Sequence, residues 1–123
     1  MDKVIDRNNF DEVLEKYRGA NAQVWLFHIS HKRLAIRLSR HNEKKDLYII
    51  GITCDYIRGP FSWKNAEIKI YKEENKEILE PVTRVVDLNA DFEFITSGLV
   101  NLVTVDSLDL KYSFDDFFLE GRE

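Results

Sequence analysis

The chain has 123 residues and a formal net charge of −4, from 18 Lys and Arg against 22 Asp and Glu, with 44% hydrophobic residues, five Gly, two Pro and one Cys. That is the size of one domain, with too much apolar content for disorder and too little Pro and Gly for a low-complexity tract. A single Cys excludes an intramolecular disulfide and a multi-cysteine zinc site, and the acidic balance argues against polyanion binding by the whole surface.

Phe10, Val13, Leu14 and Tyr17 stand at i, i+3, i+4 and i+7, on one helical face. The spacing predicts an amphipathic helix over residues 9–18. Asn9 is its N-cap, with Glu12 placed for a capping box, and Gly19 is its left-handed terminator. From Gln23 the period changes to two. In the run Val24–Ser30, Trp25, Phe27 and Ile29 alternate with Leu26, His28 and Ser30. In Arg33–Ser39, Leu34, Ile36 and Leu38 face one way, and Arg33, Ala35, Arg37 and Ser39 form a wet face. The short link at His31 and Lys32 makes these a hairpin. Arg40–Asp46 reads as a polar loop and Leu47–Cys54 as a central strand, apolar on both faces.

Arg58-Gly59-Pro60 is the strongest break in the chain. Ala66, Ile68 and Ile70 then mark a one-sided strand, and Lys72–Glu77 a charged loop. Strands are expected at Val82–Leu88, Phe92–Thr96, Leu99–Val105 and Leu108–Phe114, with a turn at Asn89-Ala90-Asp91. Ser113 with Asp116 caps a last helical turn holding Phe114, Phe117 and Phe118. The expected fold is α+β in a single domain over residues 1–123. An N-terminal helix packs on a mainly antiparallel, twisted sheet of about six or seven strands, as a sandwich or a partly closed barrel. Residues 23–114 are strand-rich and 115–123 form a short tail.

Residues Met1–Glu15 lack an apolar leader core, and no run reaches the roughly 18 apolar residues of a spanning helix, so a cytoplasmic protein without a membrane segment is expected. His28, His31, His41 and Cys54 are residue types that bind zinc; a three-residue step along a strand sends His28 and His31 to opposite faces, unless the turn at His31 brings them together. Cys54 reads as a buried small hydrophobe. Nucleotide-binding glycine motifs, the nucleophile elbow and the zinc-protease pattern are all missing, so no catalytic residue, metal or cofactor is assigned. The close carboxylates, Asp87 with Asp91 among them, suit turns and caps.

Charge is unevenly spread. Residues 30–45 carry Lys32, Arg33, Arg37, Arg40, Lys44 and Lys45 against Glu43, whereas residues 106–123 carry six acids against Lys111 and Arg122. The resulting expectation is a small non-enzymatic binding protein whose partner is a protein, itself or another. A homodimer would cover free sheet edges. The candidate surface is Arg33 and Arg37 on the basic hairpin with Tyr56, Arg58 and Trp63 around the Gly-Pro turn. Two alternatives use other chemistry. One is an anion or nucleic-acid binder built on the same arginines, with Tyr48, Tyr71 or Trp63 stacking on bases. The other is a small-ligand carrier or enzyme with a pocket in a curved sheet.

Overall fold

The computed structural model describes residues 3–75 and 80–106. The expected strand Leu108–Phe114 and the turn around Phe117 lie outside the described residues. The α+β class holds, with one short N-terminal helix and mostly antiparallel strands in two sheets. The strands are β1 (Lys3–Val4), β2 (Asn21–His28), β3 (Arg33–Ser39), β4 (Lys45–Gly51), β5 (Cys54–Arg58), β6 (Ser62–Trp63), β7 (Lys69–Asn75), β8 (Glu80–Asp87), β9 (Phe92–Thr96) and β10 (Val100–Asp106). One sheet has the order β1-β10-β4-β3-β2-β6 and the other β5-β9-β8-β7. Neither closes on itself among the described residues.

Helix α1 (Phe10–Lys16) is shorter than expected. The Asn9 side chain makes no cap bond; a 3-10 turn at Arg7–Asn9 precedes the helix, and the Asp6 carboxylate caps that turn by accepting from the Asn8 amide at 2.9 Å. The predicted face is correct. Leu14 and Tyr17 are buried, and Phe10 and Val13 pack against the same core. Gly19 takes the left-handed φ of +87°, but it lies two residues beyond the cap at Tyr17 rather than directly after it. Its amide donates to the Ala66 carbonyl at 2.8 Å.

The β2–β3 hairpin and the interior position of β4, between β10 and β3, match the sequence expectation. The run Leu47–Cys54 is not one strand. Thr53 takes φ 60°, and the chain leaves the six-stranded sheet after Gly51 to start β5 in the other sheet at Cys54. Of the expected charged loop Lys72–Glu77, residues 72–75 are instead the second half of β7, an edge strand paired with β8. Charged side chains on an edge deter pairing with another chain, which is why such a sequence is compatible with a strand.

One core lies between the sheets. It holds Leu34, Ile36, Leu38, Leu47, Ile49 and Leu102 from the six-stranded sheet and Val85, Phe92 and Phe94 from the other, with Leu14 and Tyr17 from the helix side. The opposite, outer face of the six-stranded sheet carries a second apolar cluster of Ala35, Tyr48, Ile50, Val103 and Val105, with Leu26 against it. The predicted wet face of β3 is therefore corrected: Arg33 and Ala35 are buried, and only Arg37 and Ser39 are partly accessible.

Candidate interaction surface

The basic stretch is largely committed to partners within the fold. Arg37 lies on the outer face of the six-stranded sheet. Its Nε donates to Asp46 Oδ2 at 2.9 Å, a terminal nitrogen lies 2.7 Å from the same oxygen, and the guanidinium stacks over the Trp25 ring with 4.8 Å to its centroid. Trp25 meets Tyr48 edge-on at 6.4 Å. Arg40 donates to the Lys16 and Arg18 carbonyls at 3.0 and 2.8 Å, a cation at the negative end of α1. Lys32 pairs with Asp55 at 3.8 Å.

Tyr56 and Arg58 belong to the other sheet. Arg58 donates to the carboxylate of Asp91, and to its carbonyl at 3.2 Å, with Glu93 at 3.6 Å. On the next strand Arg84 donates to the Glu93 carboxylate through Nε at 2.7 Å and to Glu73 at 2.9 Å. Carboxylates and guanidiniums thus alternate across the sheet: Glu73, Arg84, Glu93, Arg58, Asp91. These hydrogen bonds push both guanidiniums further up, Arg58 through Asp91 first and Arg84 through Glu93 first. Trp63 turns the other way, into the core. Its ring lies 4.5 Å from Phe92, and its Nε1 donates to the fully buried Asp87 at 2.7 Å. The five residues Arg33, Arg37, Tyr56, Arg58 and Trp63 are thus divided between two sheets and the core.

The side chains capable of covalent or metal chemistry lie apart from the arginines. Cys54 is buried, and burial pushes its thiol up, which disfavours the nucleophilic thiolate. The His28 and His31 rings stack at 5.1 Å, and His28 Nδ1 lies 2.9 Å from Ser30 Oγ. No group of three His, Cys, Asp or Glu side chains that could hold a metal occurs among the described residues.

A surface that the arginine pattern did not point to lies along one flank. Of ten exposed large hydrophobic residues among the described ones, six come from two short segments: Trp25, Phe27 and Ile29, and Tyr56, Ile57 and Phe61. These segments run alongside each other, tied at both ends. The Cys54 amide donates to the Lys32 carbonyl at 2.7 Å, and the Val24 amide to the Phe61 carbonyl at 2.6 Å. Strand β6 covers β2 only at Ala22 and Gln23, and β5 has β9 on one side only. The apolar run Trp25, Phe27 and Ile29 was legible in the sequence, although a bulge between Val24 and Leu26 breaks its alternation. Its exposure was not, because periodicity does not reveal which strand lies at an edge.

A second concavity lies at the start of α1. This open groove of about 470 Å³ is lined by Phe10, Ile70, Val82, Leu99 and Val100, with Arg7 and Lys72 among its polar residues. No helix among the described residues is long and apolar enough to cross a membrane. No protein-family model, curated protein or solved structure matches the chain, so the reading of this surface rests on its geometry.

Proposed function

We propose that this is a non-enzymatic protein-binding module whose partner docks on the flank formed by residues 25–29 and 56–61. The observation that carries this reading is the concentration of exposed apolar side chains there, with Ile29 81% and Phe61 83% exposed. Monomeric soluble proteins seldom leave large contiguous apolar patches in water, and aromatic side chains are typical anchors of interfaces. The scaffold we infer is an open sandwich, since side chains of both sheets share one core and neither sheet closes among the described residues. The module works in the cytoplasm, where a lone buried thiol such as Cys54 is at home. Its partner is a protein, either a second copy or another chain. The internal pairing of Arg37 and Arg58 weakens the anion-binding alternative.

The test is site-specific photo-crosslinking in cells at position 61, with position 88 as control, since Leu88 is equally exposed but lies outside the flank. The expected result is a discrete adduct at 61 that Ile29→Asp removes, and none at 88. Equal labelling at both positions overturns the proposal. Light scattering then separates a homodimer from a different partner.

The groove beside α1 favours a second reading, a carrier of a small apolar ligand with an anionic group held by Arg7 and Lys72. Val82→Trp, which fills the groove, should abolish uptake of a fluorescent fatty acid. Lack of uptake by the unsubstituted protein removes this reading.

A further inference from the structure

The outer face of the six-stranded sheet is dry. Ala35 is 0% exposed, Val103 2%, Val105 4% and Ile50 6%. These four side chains come from β3, β4 and β10 and point away from the core shared with the other sheet. Side chains at the centre of a bare sheet face remain in contact with water, because strand neighbours shield only their flanks. The cluster they form contains residues of the six-stranded sheet alone among the described residues. The helix and the four-stranded sheet contribute to the opposite side. A dry sheet face of this kind calls for a cover.

We propose that the cover is the chain's own segment 107–123. It follows directly from Asp106, the last residue of β10, which is a strand of this same face. Its 17 residues, fully extended, span up to about 55 Å, against roughly 15 Å from the first to the last of four adjacent strands. It offers Leu108, Leu110, Tyr112, Phe114, Phe117 and Phe118 as apolar groups. Apolar groups matched to an apolar cluster, on a segment that begins where a strand of this same face ends, favour this occupant over a second copy of the chain. This face adjoins the flank proposed for partner binding at Trp25, which meets Tyr48 edge-on, but the four side chains argued from here are not part of that flank.

The experiment uses the full chain with Cys54→Ser, a nitroxide attached through Ser113→Cys, and amide spectra at low concentration. The expected result is at least a twofold loss of signal at Ala35, Ile50, Val103 and Val105, with Arg84 and Ile95 on the other sheet's outer face keeping theirs. Undiminished signals at the four positions overturn the proposal. So does loss that occurs only between molecules, in a mixture of spin-labelled and isotope-labelled chains, which would assign the cover to a second copy. A second measurement avoids any change at Cys54. The full chain with Phe114, Phe117 and Phe118 all replaced by Ser should bind an apolar dye severalfold more than the unsubstituted chain, with the Phe94 amide shift retained. Unchanged dye binding counts against the proposal.

Discussion

Tyr17 shows how one side chain ties the helix to the sheets. Its hydroxyl donates to the Lys45 carbonyl at 2.7 Å, and its pKa is pushed up from 10.0 to about 12, first by burial and then by Glu43 and Asp46. A folded-state pKa above the unfolded one means that the neutral phenol contributes stability below pH 10. That contribution is lost as pH rises from 10 toward 12. Urea midpoints should therefore fall more steeply over this range for the unsubstituted protein than for Tyr17→Phe, and parallel curves would refute the assignment. At neutral pH the same variant should lose about 1 kcal/mol, the worth of one hydrogen bond. Gly98 is constrained by space. A Cβ there would sit 2.3 Å from the Ile52 carbonyl oxygen. Gly98→Ala must displace the backbone, and it should destabilise by about 1–3 kcal/mol in denaturant titration. Asp87 was legible in the sequence as a turn carboxylate, and it does accept from the Asn89 amide at 3.1 Å. Its bond to Trp63 was not legible, since the two residues meet only through tertiary packing.

Among elements, legibility followed locality. The bounds of β3 and β9 coincide with the expected strands, because a short run of strand-forming residues between turn signals is written in consecutive residues. The corner between β4 and β5 was invisible, because apolar residues continue through it from Leu47 to Cys54. Only the backbone at Thr53 marks it. A β-branched residue with φ 60° is strained, by roughly 1–2 kcal/mol. Thr53→Gly should recover part of this and raise the thermal midpoint; a lower midpoint would show that the Thr53 side chain stabilises the corner. Strands β1 and β6, with two residues each, are too short for any periodicity to reveal. Which strands belong to which sheet was likewise hidden, since the length of a link does not say on which layer the next strand lands.

At the scale of the molecule, the sequence correctly located a basic hairpin but not its use. Arg37 and Arg40 serve the fold, through Asp46 and the end of α1, and the exposed apolar flank is the surface left available. Ile29→Asp and Phe61→Asp should therefore change stability by no more than about 0.5 kcal/mol, as exposed substitutions do, while removing partner capture. Concurrent loss of stability and capture would make these residues part of the core instead. Arg40→Ala should behave in the opposite way, costing about 1 kcal/mol by freeing the helix carbonyls and leaving capture intact.

The pairing of β1 with β10 sets Lys3 opposite Thr104 and Val4 opposite Val103. Strand β4 likewise waits for β10 to supply its second neighbour. Such distant pairings place this protein among slow folders, in the range of about milliseconds to seconds, since loop closure must be paid before the contacts form. A ribosome that has released only the first hundred residues holds a sheet whose central strand still presents a bare edge. During synthesis, then, the chain passes through a stage at which β4 is open to pairing with a neighbouring nascent copy.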